Sequence, residues 1–338
     1  MAQNELFFED VTEGKEIKPL FKKASNVQIF MYQAATWNCD RIHYDYKFAR
    51  EVFGLPDVVQ TGPMSADWYA QMVSEWMGGT GFIKKLSYQS RVSIVPGDTL
   101  VCSGKVTSIY IKNGYHCVDC DLSMVNQRGE NCSPGKATLI LPLRGQDLDP
   151  IKFGNDINLF RATDQMPKRV AGPLVTEEVL KLIGFKMEPV VSDPITAKEM
   201  RRYALAIGDP NPIFHDEEKA KKSRYCGLIA PPCFALWACH PVSQDDFPEN
   251  LTPGGYPRRH ADLFTSKLPL KNLLHGGDEH ELFHPIRSGD VLKSSMKIVD
   301  IYEKIAKKRP MIFMVREITV ANQNEDLVDI VKITVIFH

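Results

Sequence analysis

The sequence predicts an α+β protein built as two tandem copies of one unit, each a long helix wrapped by an antiparallel sheet. Three observations carry this. A chain of 338 residues is too long for one small core and suits two domains of about 150 residues each. Three pairs of segments recur in the same order: "WNCDRIHYD" (Trp37–Asp45) with "IGDPNPIFHD" (Ile207–Asp216), "DVVQTGPMSADW" with "GLIAPPCFALW", and "VPGDTLVCSGKVTSIY" with "RSGDVLKSSMKIVDIY". Each half also opens with helical patterning and closes with alternating runs rich in Val, Ile and Tyr, as strands do. So long a period marks duplication of a whole domain, since solenoid repeats run about 20–50 residues.

The first half, residues 1–150, starts with a short helix in "NVQIFMYQAATWN". The polar phrase from Asn38 to Asp45 follows as a loop, and Asp45 is placed to cap the next short helix, "YKFAREVFG". A longer helix begins near Gly62 in "TGPMSADWYAQMVSEWMG". There Met64, Trp68, Met72 and Trp76 fall on one face, a stripe that is core more often than ligand box. Strands complete the half, ending in "KATLILP". A helix followed by several antiparallel strands is most simply buried by wrapping the sheet around it.

The second half, residues 151–338, repeats this order with "TAKEMRRYALAIG", "EEKAKKSRYCG" and a longer helix near "PPCFALWACH", ending in "VKITVIF". The spacing between matched positions is 171 residues for Asn38 and Asp209 and 170 for Gly62 and Pro232, but 192 for Gly97 and Gly289. An insertion therefore lies between the second helix and its next strand, at about residues 240–268. Its Pro, Gly and charge predict a surface loop.

Composition excludes several classes. Hydrophobic residues make up 43% and charged residues 25%, ordinary for a soluble globular protein. A net charge of -1, from 41 basic and 42 acidic residues, supplies no bulk field for nucleic acid or anionic membrane. No apolar run is long enough to span a bilayer. "MAQNELFFEDVTEGKE" lacks the basic and apolar parts of a signal peptide, so the expected location is cytoplasmic. Cys117 and Cys120 form a lone C-x-x-C in a strand-like stretch, read as buried thiols. "HGGDEHELFH" carries His275, His280 and His284 but no zinc spacing, so no metal site is expected.

The residues "NCDRIHYDYKFA", "LPDVVQTGPM" and "VPGD" in the first half, with "YALAIGDPNPIFHDEEKA", "GLIAPPCF" and "HGGDEHELFHPIRSGD" in the second, resemble the MaoC-like, hydratase-2 branch of the hotdog fold. The resemblance covers roughly residues 7–143 and 174–337. It implies a double hotdog whose two sheets join into one layer. It also implies a thioester of coenzyme A or an acyl carrier inserted between the halves, with no separate cofactor. Enzymes of this family add water to a trans-2-enoyl thioester to give the (R)-3-hydroxyacyl form, or reverse that reaction. The implied state is a monomeric pseudo-dimer or a homodimer.

The family pattern is D-x-N-P-[LI]-H-x-D, in which the first Asp and the His orient and deprotonate water. His43 stands at the His position. Asn38 occupies the place of the Asp, Asp40 that of the Asn, and Arg41 that of the Pro; the phrase resembles a family variant, N-x-x-R-I-H-Y-D. Histidine titrates near neutrality and can take and return a proton. His43 is therefore the expected base and acid, with either Asn38 or Asp40 holding the water. The structural alternative is an Asp40–Arg41 ion pair in a loop, with His43 capping the next helix.

The second half serves as an internal control. It keeps Asp209-Pro210-Asn211-Pro212 but has Phe214 at the His position, and phenylalanine transfers no proton. Gly62 at the head of the long helix can offer a backbone N–H and the positive helix end to a thioester oxygen, whereas its counterpart Pro232 has no N–H. One half is thus expected to catalyse and the other to shape an acyl pocket, with Trp68, Phe214 and Phe234 as candidate pocket residues and Leu236, Trp237 and Phe264 beside them. Basic clusters at Lys221–Arg224, Pro257–His260 and Lys307–Pro310 could meet coenzyme A phosphates, though a solvated surface is the plainer reading. Two other functions fit the same residues. One is a hotdog thioesterase using Asp40 or Asp67; the other is a non-catalytic acyl-CoA-binding subunit.

Overall fold

A computed structural model of the chain describes residues 5–146, 148, 167–239, 247–258, 267–270, 272–306 and 309–338. The first half contributes strand β1 (Glu16–Lys23), helices α1 (Asn26–Thr36) and α2 (Met64–Met77), and strands β2 (Phe82–Gln89), β3 (Thr99–Lys112), β4 (Tyr115–Asn126) and β5 (Gly135–Ile140). The second contributes α3 (Glu177–Leu180), β6 (Val190–Val191), α4 (Ala197–Ile207), α5 (Glu217–Lys221) and α6 (Ala235–Ala238). Strands β7 (Leu273–Leu282), β8 (Lys293–Ala306), β9 (Arg309–Ala321) and β10 (Leu327–Phe337) complete it.

All ten strands form one antiparallel sheet in the order β1-β3-β4-β5-β2-β7-β10-β9-β8-β6. The order is the same read inward from either edge, so each half-sheet is a copy of the other about the β2–β7 seam. That seam pairs Lys85 with Glu281 and Gln89 with Gly277. This is the double hotdog.

Local chemistry explains where the helices start and stop. Ser25 accepts a hydrogen bond from Gln28 N–H and starts α1, while Thr196 and Glu199 form a reciprocal capping box on α4. Trp37 and Gly208 end these two helices in the left-handed region. Asp45 accepts from Phe48 N–H, capping a short turn that winds as a π-helix over Phe48–Val52.

Helix α2 fills the first half-sheet, and Met64, Trp68, Tyr69 and Met72 on it are fully buried. Burial of each such side chain is worth about 1.5–3 kcal/mol. Asp67 is buried among them and accepts hydrogen bonds from Tyr32 on α1, 3.0 Å away, and from Tyr203 on α4, 2.8 Å away. Those tyrosines are matched positions of the two repeats, so one carboxyl ties both halves together. Lys84 is buried at the seam, donating to Leu282 O at 3.0 Å and lying 3.4 Å from the Phe283 ring centroid. Desolvation lowers its ammonium to about 8.

The second half departs from the expected long helix. A 3-10 turn over Pro232–Phe234 leads into α6, which has only four residues. Residues 239–272 then separate α6 from β7, where residues 78–81 separate α2 from β2. The expected insertion at about 240–268 is described only for residues 247–258 and 267–268. That part includes a 3-10 turn over Pro248–Asn250 and a bridge between Leu251 and Pro257.

Candidate active site

A cavity of about 700 Å³ opens between the halves, within the usual range for small-molecule sites. Its first-half wall comes from the phrase around His43, the head of α2 and residues 90–94. Its second-half wall comes from α6, residues 251–257 and the inner faces of β7 to β10.

The phrase is wound by its own side chains. Asn38 Oδ1 accepts from Asp40 N–H at 3.0 Å, and Asp40 Oδ1 accepts from Ile42 N–H at 3.3 Å. The second half repeats the geometry, with Asp209 accepting from Asn211 N–H and Asn211 from Ile213 N–H. The acid and the amide exchange places between the copies, yet either side chain supplies the same turn-forming acceptor.

This winding presents His43 and Asp40 together. His43 Nδ1 lies 2.7 Å from Val59 O; a carbonyl only accepts, so Nδ1 carries the proton and neutral Nε2 holds the lone pair. Nε2 stands 3.7 Å from Asp40 Oδ2. His43 is 8% exposed and Asp40 4%, and both line the cavity. Burial pulls the His43 imidazole below its ordinary value, with Asp40 opposing and His275 adding to the shift. Burial likewise raises Asp40, opposed by His43, the Tyr256 hydroxyl and Ile42 N–H. Arg41 pairs with Asp45 at 2.7 Å and not with Asp40.

Across the cavity, Gly62 N–H makes no hydrogen bond among the described residues, and α2 begins two residues later without a side-chain cap. A Cβ at Gly62 would stand 2.7 Å from His275 Cδ2 and 3.2 Å from the Tyr88 hydroxyl. The backbone is therefore bare here because a side chain has no room, and a helix N-terminus favours negative charge.

Two residues of this site were not legible in the sequence. Tyr256, from the insertion, donates its hydroxyl to Asp40 Oδ2. His275 stands against Gly62, with Nε2 2.8 Å from Asp278 Oδ1 and 2.9 Å from the Tyr88 hydroxyl. Strict alternation would send residues 275 and 278 to opposite faces. A bulge opposite Thr334 and Val335, with Gly277 at φ +142°, turns both to one side.

Three expected pocket residues lie elsewhere. Trp68 is buried in the core and donates to Ile207 O at 3.0 Å. Phe214 packs with Ala204 and Ile229, and Phe234 lies edge-on to Tyr203. None of them lines the cavity, because the helix stripe and the second-half phrase face the core. Leu236 and Trp237 do line it, and Phe264 lies outside the described residues. Asp67 is also outside the cavity, enclosed by tyrosines, so the thioesterase reading loses one of its two carboxylates. Arg224 is spent on Thr80 O and Gly81 O. His260, Lys307 and Lys308 lie outside the described residues. Cys117 and Cys120 are buried thiols raised by desolvation to about 11 and about 12. No helix among the described residues is long and apolar enough to cross a membrane, and no cluster of metal-ligating side chains occurs among them.

Comparison with known proteins gives a match in each half. The hydroxyacyl-thioester dehydratase type 2 model matches residues 9–96, and the FAS1-like dehydratase domain region matches residues 181–331. A UPF0336 protein of Thermobifida fusca (strain YX) is 31% identical over 107 residues, covering 32% of this chain and 61% of the relative. The chain thus matches less than two thirds of that relative's length. A double-hotdog protein of Mycobacterium tuberculosis superposes with a TM-score of 0.63 at 13% identity, covering 98% of this chain and 99% of that one. A protein of Chloroflexus aurantiacus J-10-fl, described as a MaoC domain protein dehydratase, gives a TM-score of 0.66 at 12% identity, covering 99% and 98%. At such identities the two structures speak for the fold alone. Each half of the chain thus resembles a thioester-dehydratase-type sequence model, and the whole chain has the double-hotdog fold.

Proposed function

We propose that this protein is a hydratase/dehydratase of 2-enoyl and 3-hydroxyacyl thioesters, with its reaction centre in the first half. The observation that carries the reading is the buried His43–Asp40 pair, whose lone-pair nitrogen and carboxylate both border the cavity that holds the bare Gly62 N–H. A water at hydrogen-bonding distance from both Nε2 and Oδ2 fits their separation. As its oxygen bonds to the β-carbon, one proton passes to the pair, and a proton is delivered to the α-carbon. The negative charge that develops on the thioester oxygen in between is met by Gly62 N–H and the α2 terminus. Asp40 is the partner of His43, and Asn38 shapes the turn. Coenzyme A as carrier and the (R)-3-hydroxyacyl product come from the family resemblance.

The test is absorbance at the conjugated enoyl-thioester band, read together with free thiol. The wild type should deplete the band reversibly without releasing thiol, and His43→Ala should lower the rate at least about 100-fold, as loss of a general base does. Release of thiol would make the protein a thioesterase. Undiminished turnover by His43→Ala would remove the reaction centre proposed here.

A further inference from the structure

The insertion does more than lengthen a loop. Residues 253–256 press onto the phrase that carries His43. Arg41 N–H donates to Gly254 O at 2.9 Å, and the Arg41 guanidinium reaches Pro253 O at 2.9 Å while holding Asp45. Gly255, at φ +96°, touches the Cys39 carbonyl so closely that a Cβ there would overlap it. Tyr256 is pinned at its backbone N–H by Thr252 Oγ1, 3.1 Å away, and its hydroxyl donates to Asp40 Oδ2. That oxygen is the one facing His43 Nε2.

The departure at Arg41 now has a physical reason. The second-half copy has Pro212 at this position, and proline has neither the N–H nor the guanidinium that grips the loop. Arginine in place of proline and the insertion thus act as one device.

We propose that Tyr256 is a positioning residue that holds the Asp40 carboxylate against His43, so that the second half completes the first half's reaction centre. The proposal rests on the reading of His43 and Asp40 as the reacting pair. The titratable groups that act on Asp40 are His43 and Tyr256, while Asp40 in turn raises Tyr44. Behind them, His275 acts on His43 and Arg316 on Tyr256. The Tyr256 hydroxyl stabilises the charged carboxylate, so its loss makes Asp40 harder to ionise.

Tyr256→Phe keeps the ring and removes only the donor. The acid limb of the kcat/KM profile for hydration should move up by about one to two pH units, with KM little changed. Gly255→Ala, which forces the loop off Cys39, should move the limb in the same direction. NMR titration of the His43 imidazole gives a readout that needs no turnover. The fall in its pKa should be larger in Tyr256→Phe, because Asp40 then stays neutral over a wider range. If the wild type hydrates enoyl thioesters but Tyr256→Phe gives a superimposable pH profile and an unchanged His43 titration, the Tyr256 proposal is overturned and the function stands. If no thioester is hydrated, the function fails, and the imidazole titration still decides the role of Tyr256.

Discussion

Replacing Asp40 by asparagine removes one charge while keeping the shape. The amide can still meet Ile42 N–H and the Tyr256 hydroxyl, so the turn should survive and the melting temperature should change little. What disappears is the attraction between the carboxylate and the imidazolium that forms when His43 takes a proton from water. At 3.7 Å and an effective dielectric of about 20, that attraction is about 4.5 kcal/mol, a factor of about 10³ in rate. Asp40→Asn should therefore lower kcat by about three orders of magnitude at neutral pH, with KM little changed, in the enoyl-thioester absorbance assay. Asn38→Ala is the comparison. It loses the hydrogen bond to Asp40 N–H, worth about 1 kcal/mol, and should cost less than about tenfold in activity. The assignment fails if Asp40→Asn keeps more than a tenth of the wild-type rate, or if Asn38→Ala loses as much.

Asp209→Ala removes a turn acceptor from the second-half phrase and should cost about 1 kcal/mol of stability with activity within about tenfold of wild type; a loss matching His43→Ala would show that the second half supplies a reacting group. Burial outweighs the two tyrosine hydroxyls and raises the Asp67 carboxyl from 3.8 to about 7. The folded protein therefore holds this proton where the unfolded chain has released it, and stability falls as pH rises from about 4 toward 7. Asp67→Asn removes that dependence, so in urea denaturation the variant should gain about 3 kcal/mol on the wild type between pH 5 and pH 8; a constant difference across that range would show that Asp67 does not titrate there.

The repeat was legible because it is a property of order along the chain, and the preference for the first half as the proposed reaction centre rests on sequence too, since a phenylalanine at position 214 admits no proton transfer. Local turn chemistry was legible too: Asp45 caps where a short polar acceptor before a helix should cap, and Asn38 and Asp40 wind the loop through neighbours two residues away. The stripe of Met64, Trp68 and Met72 reads as core from its spacing, and the fold packs it there, which takes Trp68 away from the acyl pocket. Phe214 packs with Ala204 of α4 and Phe234 lies edge-on to Tyr203 of α4, so neither reaches the cavity.

Whether Asn38 or Asp40 faces His43 was left open by spacing alone, because both stand within one turn of the histidine. The geometry that brings Asp40 to 3.7 Å from Nε2 belongs to the folded loop and to Tyr256, which lies 216 positions further along the chain. His275 and Asp278 meet only because a bulge breaks the alternation that a strand sequence implies. Sequence by itself determined the duplication and the turns, and it singled out His43 as the candidate proton carrier, since each depends on residues close in order or on a simple period. Tertiary structure decided the partners, because contacts across the β2–β7 seam depend on strand register and loop docking, which no local pattern encodes.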